Sequence, residues 1–565
     1  VNPVAPAHTD SVYINTVPGA LQEIEKPNPR NGSNNWAVSG ARTRSGAPIL
    51  CNDPHLDLSF PSIWYEMQVT TPTMNAYGVS FPGAPGIIIG FNDSIAFGFT
   101  NSERDVMDYY AIRFKDGTKA QYWFDSAWKN SELRIETIKV KGRPVVYDTV
   151  AYTVFGPVVY DESFPSSTAP GAALALRWKA HDPSNELLTW YYLNRANNYN
   201  DYKNALQYFT NPAHNVVFAS KAGDIAIWQQ GVLPALWNRQ GLYVMPGEDS
   251  SYMWQGFIPA DENPHILNPE RGFVSSANQR PADSTYPYFI PGYYDLYRGI
   301  AINRELHALH NVTADDMMKL QNDNYNVFAE TARPLLLKYI NDSSLNENEK
   351  KYLDIVSGWS LYNNINERGA TIFKLWYDNL EKQVWNDEFE KAGITRLRPS
   401  AKTLTEALLR DTAFSYIDNI NTPERETISD VITAAYKQAA KTADSLSTVN
   451  RLTWGSNKNT SIYHLLGEAM MPFARTGLPV GGGAHIINAM QHNHGPSWRM
   501  VIELTPETDA YVIYPGGQSG NPGSPYYDSF VDKWAAGEYY KAWFMKRGEQ
   551  EGDRLVWKIE FGGGE

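Results

Sequence analysis

A glycine and a serine at positions 32 and 33 stand shortly before an apolar run at 36–39 that has the length of a short β-strand. Cleavage of the bond between Gly32 and Ser33 would leave a hydroxyl and a free α-amino group on one residue. An α-amino group has a pKa of about 7.7–8.0, so it can accept the hydroxyl proton near neutral pH. The pair therefore predicts an N-terminal serine nucleophile, although an isolated Gly-Ser pair is also typical of an ordinary turn.

Short blocks rich in Asn, Gly, Pro and aromatic residues follow Ser33 in order, at 52–56, 82–92, 95–101, 276–279, 297–300, 494–499 and 515–522. Among them are Asn-Asp-Pro-His-Leu at 52–56 and His-Gly-Pro-Ser-Trp-Arg at 494–499. Their order and spacing resemble the penicillin acylase family of N-terminal-nucleophile hydrolases, from about Ser33 to about Trp534. The resemblance implies an α+β fold, a four-layer αββα sandwich with a largely helical insertion.

The same resemblance implies an amide hydrolase (acylase) that cleaves N-acyl compounds such as β-lactams or N-acyl-homoserine lactones through an acyl-enzyme on Ser33. The side-chain amide of Asn278 and the backbone N–H of Asn101 would form the oxyanion hole. Arg298 would hold the amine and Asn278 in place, with Arg304 as a less favoured substitute. His55 would orient the amine or tune its pKa, and the alternative for His55 is a satisfied core histidine.

The positions that match the family's acyl pocket are Leu56 and Ile89, and Phe99 lies nearby as a further lining residue. Phenylacetyl-selective relatives have phenylalanines there, so the aliphatic Leu56 and Ile89 depart from that pattern. A single methylene is worth only about 1–3 kcal/mol in such a pocket. The sequence therefore argues against a preference for benzylpenicillin and leaves the acyl group and the amine open.

A structural calcium site is a further expectation from the resemblance, and no cofactor is needed for the chemistry. Asp105, the Met107 carbonyl and Asp108 align with a calcium-binding run in several relatives, and Asp283 is a candidate for a further ligand. Oxygen donors from one short loop suit a hard cation. The alternative is an acidic turn that holds no metal.

Composition excludes several other classes of function. The net charge is −13 and the pI is about 5.4, which argues against binding to nucleic acid or to an anionic membrane surface. Cys51 is the one cysteine in the sequence, so there is no internal disulfide, and its apolar neighbours predict a buried thiol. A conventional Ser-His-Asp hydrolase is disfavoured because the sequence has no Gly-x-Ser-x-Gly motif.

The chain divides into four predicted parts. Residues 1–32 are read as a spacer or the end of an α-subunit, 33–312 as the first part of the core, 313–450 as a helical insertion, and 451–565 as the C-terminal part of the core, ending in a β-like run at 555–561. The helical reading of 313–450 rests on helix formers and an N-cap at Thr313.

The resemblance also implies a longer precursor, with a signal peptide and an α-subunit that pairs with this chain. We therefore expect the chain to be truncated and the protein to be periplasmic or secreted. One alternative keeps the family scaffold without the chemistry: an unprocessed or inactive member that acts as a binding protein.

Overall fold

The computed structural model describes residues 1–6, 31–161, 173–391, 399–547, 549 and 555–562. The strands in chain order are β1 Gly32–Val38, β2 Ile49–Asp57, β3 Ser59–Phe60, β4 Tyr65–Thr71, β5 Met74–Ser80, β6 Ile89–Asn92, β7 Ile95–Asn101, β8 Met107–Ile112, β9 Gln121–Phe124, β10 Ala127–Asn130, β11 Glu132–Ile138, β12 Val146–Thr153, β13 Gly156–Tyr160, β14 Ala173–Trp178, β15 His214–Ser220, β16 Ile225–Gln230, β17 Met245–Pro246, β18 His265–Leu267, β19 Phe273–Ser276, β20 Thr460–His464, β21 Arg475–Leu478, β22 His494–Pro496, β23 Arg499–Glu503, β24 Asp509–Ile513 and β25 Tyr540–Lys541. The α-helices are α1 Leu187–Leu193, α2 Tyr199–Leu206, α3 Tyr297–Ala308, α4 Ala314–Gln321, α5 Val327–Tyr339, α6 Glu347–Ser357, α7 Gly369–Lys391, α8 Ala401–Arg410, α9 Ile428–Thr448, α10 Trp454–Lys458 and α11 Val531–Ala535.

Two sheets pack face to face at the centre of the fold. The first, sheet A, has the order β19-β1-β2-β23-β24-β25, with β22 also paired to β2. The second, sheet B, has the order β18-β16-β15-β7-β6-β5-β4. Sheet A therefore joins strands from both ends of the sequence, and both of its central strands, β1 and β2, are buried on both faces.

Alternation along β1 explains how the layers are held together. Ala37 packs into a hydrophobic cluster shared with sheet B and with helices α1 and α2. Its neighbours Trp36 and Val38 point the other way, into a cluster formed with helices α3 to α9. Because successive side chains of a strand face opposite sides of the sheet, one strand feeds both cores. The layers are helix, sheet B, sheet A and helix, which confirms the αββα architecture.

Helices α4 to α9 lie between residues 314 and 448, where the sequence predicts helix. Helix α4 begins with a capping box, in which Thr313 accepts from the Asp316 backbone N–H and Asp316 accepts from the Thr313 N–H. The division of the chain at residues 32, 312 and 450 stays a prediction, as does the reading of residues 1–32, most of which lie outside the described residues.

Three local features differ from the sequence reading. The predicted strand at 555–561 is wrong, because residues 555–562 form no strand and their apolar side chains are exposed. Strand β1 begins at Gly32 rather than after Ser33. Helix α3 begins at Tyr297, so Arg298 lies in its first turn, a position that the sequence reading does not assign to a helix.

Within the described ranges, none of the helices combines the length and the apolar character needed to cross a bilayer.

Candidate active site

Ser33 is the second residue of β1 and is buried between the two sheets. Strand β1 lies between β19 and β2, with Ser33 opposite Pro54 of β2. Its Oγ is directed toward β7 of sheet B, where Asn101 ends the strand. The nucleophile predicted from the sequence is therefore held by a central strand and not by a mobile turn.

Two N–H donors converge on the hydroxyl of Ser33. The backbone N–H of Asn101 donates to Ser33 Oγ at 3.2 Å, and Asn278 Nδ2 donates to the same oxygen at 3.3 Å. Asn278 Nδ2 also donates to the Asn101 carbonyl at 2.6 Å, which ties the two donors together. Asn278 has a φ of +66°, a left-handed conformation that asparagine tolerates better than most residues. These are the two groups that the sequence predicts for an oxyanion hole.

The backbone of Ser33 is held from the helical side of sheet A. Its N–H donates to Asn278 Oδ1 at 2.7 Å, and its carbonyl accepts from Arg298 on α3 at 2.9 Å. Arg298 also donates to Asn278 Oδ1 at 2.9 Å. Arg304, the substitute that the sequence left open, instead pairs with Glu330 on the surface. Ser33, Asn101, Asn278 and Arg298 thus form one connected set.

His55 lies on the opposite side of β1 from the Ser33 hydroxyl. His55 lies opposite Gly32 in the antiparallel pairing of β2 with β1, and its Nδ1 is 3.5 Å from the position that a Cβ on residue 32 would occupy. Its Nε2 is 3.0 Å from Asp53 Oδ2. No hydrogen bond joins His55 to Ser33, both of which are described, because the alternation of the strands places their side chains on different faces. His55 faces the predicted cleavage point rather than the hydroxyl.

Burial sets the protonation of this pair. Burial lowers the pKa of His55 well below its usual range, and the nearby Arg298 and Arg499 lower it further. Burial raises the pKa of Asp53, and the same two arginines oppose that rise. At neutral pH the imidazole of His55 is therefore uncharged.

Sequence reasoning missed two residues of this site, Asn34 and Asp53. Asn34 Oδ1 accepts from Arg298 at 2.7 Å, and its Nδ2 donates to Asp53 Oδ2 at 3.2 Å and to the Ile487 carbonyl at 3.0 Å. The two-residue spacing of Asp53 and His55 is the signal that could have found Asp53, because it places both side chains on one face of a strand that contains them. Nothing in the sequence signals the contact between Asn34 and Arg298.

Leu56, Ile89 and Phe99 belong to the cluster between sheet A and sheet B. Leu56 is partly buried, while Ile89 and Phe99 are 3% and 7% exposed. The Phe99 ring lies 6.0 Å from Trp190 and 6.1 Å from Phe209, centroid to centroid. The predicted acyl-pocket residues therefore share one apolar region with two aromatic residues that the sequence reading did not include.

Asp105 and Asp108 converge at a second buried polar site. A Cβ on Gly241, whose φ is +78°, would collide with Asp108 Oδ1 and come 3.2 Å from Asp105 Oδ2. Asp108 Oδ2 accepts from Trp254 at 2.5 Å, whereas its Oδ1 is buried and has no hydrogen-bond partner among the described residues. Burial raises the pKa of Asp105 to about 6, and burial together with Asp105 raises that of Asp108 to about 7.

The other predicted calcium ligands are placed less directly. Met107 begins β8 and its N–H donates to Asp105 Oδ1 at 3.2 Å. Asp283 forms a turn of its own, with Oδ1 accepting from the backbone and the hydroxyl of Thr285. Across the described ranges, no group of three or more His, Cys, Asp or Glu side chains is arranged to hold a metal ion.

Comparison with known proteins agrees with this geometry. The family model described as penicillin amidase matches residues 4–551. The chain therefore belongs to the penicillin amidase family.

Individual relatives differ in what they cover. An acyl-homoserine lactone acylase, QuiP, from Pseudomonas aeruginosa is 24% identical over 90% of this chain and 66% of its own length. Penicillin acylase 2 proenzyme from Pseudomonas sp. strain SE83 is 28% identical over 52% of this chain and 37% of its own length. The solved thermostable penicillin G acylase from Alcaligenes faecalis superposes with a TM-score of 0.71 at 19% identity, covering 93% of this chain and 100% of that one. The chain thus spans about two thirds of the curated acyl-homoserine lactone acylase.

Proposed function

We propose that this protein is an amide hydrolase that activates itself by cleaving the bond between Gly32 and Ser33 and then hydrolyses N-acyl amines. One observation carries the proposal: the Asn101 N–H and Asn278 Nδ2 meet at Ser33 Oγ, at 3.2 and 3.3 Å. Two relatives, an acyl-homoserine lactone acylase and a penicillin acylase, support the same reaction class.

Self-cleavage would begin with Ser33 Oγ attacking the Gly32 carbonyl carbon. The peptide C–N bond breaks as the new C–O ester forms, and the hydroxyl proton passes to the Ser33 nitrogen. Water then hydrolyses the ester, which releases Gly32 as a carboxylate and leaves Ser33 with a free α-amine. The groups already around Ser33 hold its N–H, its carbonyl and its hydroxyl throughout.

Turnover would reuse the same atoms. The α-amine of Ser33 takes the proton of the hydroxyl as Oγ attacks the substrate carbonyl, and then gives it to the leaving amine. The negative charge on the carbonyl oxygen needs fixed donors about 2.7–3.1 Å away, which Asn101 N–H and Asn278 Nδ2 would supply. Water hydrolyses the acyl ester on Ser33 and completes the cycle.

The apolar region around Leu56, Ile89 and Phe99 suits the acyl part of the substrate. Two of these three side chains are aliphatic, which favours alkyl chains over a phenylacetyl group. We propose N-acyl amines with linear acyl chains, including N-acyl-homoserine lactones, as the first substrates to test. A panel that keeps one amine and varies the acyl group separates this proposal from a preference for phenylacetyl amides.

We also propose that Asp105 and Asp108 hold a structural calcium ion. The unpartnered, buried Oδ1 of Asp108 and the convergence of the two carboxylates at Gly241 fit a hard cation. The remaining ligands would be carbonyls, water or parts of a partner subunit, and the ion would take no part in the chemistry.

The experiment that tests the main proposal is intact mass and N-terminal sequencing of the purified protein, followed by the substrate panel. We expect a fragment that begins Ser-Asn-Asn-Trp and activity on N-acyl amines. Ser33→Ala should abolish both cleavage and turnover, whereas Ser80→Ala, a buried serine on β5, should change neither. Activity that survives in Ser33→Ala would sink the proposal, and an uncleaved, unreactive wild type would favour a binding protein.

A further inference from the structure

A buried polar contact behind the Ser33 site joins Asp53 and His55 on β2. Both side chains are almost fully buried, at 0% and 1% exposure. They lie two residues apart on one face of the strand, and β1 presents Asn34 and Gly32 opposite them. The pair therefore lies directly beside the predicted cleavage point, on the helical side of sheet A.

A small polar cage surrounds the Cα of Gly32. A Cβ at this position would lie 3.1 Å from an Arg298 nitrogen, 3.2 Å from Asn278 Oδ1 and 3.5 Å from His55 Nδ1. Arg298 and Asn278 already belong to the site. The third wall of the cage is an imidazole whose orientation depends on Asp53, since Asp53 Oδ2 lies 3.0 Å from the opposite ring nitrogen.

We propose that Asp53 is a positioning residue that acts through His55 and fixes the imidazole with Nδ1 as a hydrogen-bond donor turned to the Gly32–Ser33 bond. This inference rests on the self-cleavage proposed above. An N–H on that side favours the negative charge that develops at the Gly32 carbonyl during attack. After Gly32 leaves, the same N–H faces the freed amine and favours its neutral form, which is the form that can act as a base.

The hydrogen bonds around His55 give the reason for this tautomer of its imidazole. Asn34 Oδ1 accepts from Arg298, so Asn34 Nδ2 is a donor, and it faces Asp53 Oδ2 at 3.2 Å and His55 Nε2 at 3.3 Å. Nε2 therefore lies opposite a hydrogen-bond donor and acts as an acceptor. A neutral imidazole that accepts at one ring nitrogen carries its hydrogen on the other. An asparagine at position 53 would place its amide oxygen against Asn34, so that oxygen would need a hydrogen from Nε2. The imidazole would then lose the hydrogen on Nδ1.

The test is the full chain with Asp53→Asn, His55→Gln and both together, with cleavage followed by intact mass over time. We expect Asp53→Asn to slow cleavage about 10- to 100-fold, the range typical of a group that orients another. The double variant should lose no more than His55→Gln alone, because Asp53 acts through His55. In cleaved Asp53→Asn, the acid limb of the pH profile of turnover should move to higher pH, since the amine loses a donor.

Controls keep the outcomes distinct. Cys51 is buried on the same face of β2 as Asp53 and His55, so it provides a matched control. The Cys51→Ala variant should undergo cleavage at the wild-type rate. If wild type does not cleave, the proposed function fails; if wild type cleaves and folded Asp53→Asn cleaves equally fast, this inference alone fails. Additive losses in the double variant would also overturn it. Should Asp53→Asn fail to fold, wild-type cleavage in His55→Gln would overturn the inference by itself.

Discussion

Ser33 and Asp108 are both buried residues at the second position of a strand, yet their polar atoms are satisfied in different ways. The N–H, carbonyl and hydroxyl of Ser33 all have partners within the described residues. Asp108 Oδ2 accepts a hydrogen bond from Trp254, whereas Asp108 Oδ1 is buried and has no hydrogen-bond partner among the described residues.

The polar atoms of Ser33 are satisfied by other groups of the protein, whereas Asp108 Oδ1 lacks such a partner among the described residues. Leaving a buried polar group unsatisfied costs about 1–3 kcal/mol, and more when the group is charged. Around Ser33 the chain avoids that cost with its own donors and acceptors, which is the condition for stabilising a transition state without reorganisation. We propose that a proton or a cation offsets this cost at Asp108, so the stability of that site should depend on pH and on metal.

The largest expected effect lies at the self-organised site. Asn278→Ala removes a donor to Ser33 Oγ and the acceptor of the Ser33 N–H, so turnover per cleaved chain should fall about 100- to 1000-fold. Asn101→Ala is the matched control, because Asn101 offers its backbone N–H and its side chain only accepts from Glu103. Rates of turnover and of cleavage, the latter by intact mass, check both variants.

Equal losses of turnover in Asn278→Ala and Asn101→Ala would contradict the view that fixed donors around Ser33 organise this site. They would mean that the loop after β7 is as sensitive as the oxyanion donors, so that the two N–H groups do not act as a fixed pair. A loss confined to Asn278→Ala would show that the donor itself matters.

A smaller effect, on stability, is expected at Asp108. Folding raises the pKa of Asp105 to about 6 and of Asp108 to about 7, from about 3.9 in the unfolded chain. The folded state therefore holds extra protons between about pH 4 and 7, so the free energy of unfolding falls as pH rises through that window. Calcium should replace those protons and raise the melting temperature more at pH 8 than at pH 5, while Asp108→Asn should flatten both responses.

Thermal unfolding at the two pH values, with CaCl2 or with EDTA, measures this directly. Asp283→Asn is the control, because Asp283 is bound within its own turn and should leave the calcium response unchanged. A calcium response that persists in Asp108→Asn but disappears in Asp283→Asn would place the cation elsewhere.

The sequence predicts the elements of the fold better than the contacts between them. The helices between 314 and 448 and the αββα class follow from local patterns and from resemblance. Ser33, Asn278 and Arg298 also meet as expected. Local patterns cannot show which strand lies beside which, so the position of His55 opposite Gly32, rather than beside the Ser33 hydroxyl, emerges only from the register of β1 and β2.

The apolar run at 555–561 shows the converse failure. Its residues have the composition of a strand, but the described segment 555–562 has no partner strand and its side chains stay exposed. Strand composition reflects packing against neighbours more than an intrinsic preference of the backbone. Without a neighbouring strand, the same residues remain irregular.

The smallest expected effect is on the rate of cleavage, and it arises from a substitution at Gly32 itself. Gly32→Ala would add a Cβ 3.1 Å from Arg298 and 3.2 Å from Asn278, so both side chains would have to shift by a few tenths of an ångström. Overpacking of this kind costs about 1–3 kcal/mol, and the lower end corresponds to cleavage slowed about tenfold. Because residue 32 leaves with the spacer, chains that do cleave should turn over substrate at the wild-type rate. Slow cleavage with normal turnover would show that the fit of Gly32 affects cleavage but not the chemistry of Ser33. A loss of turnover in fully cleaved Gly32→Ala would show instead that the substitution leaves the side chains around residue 32 displaced after the spacer has gone.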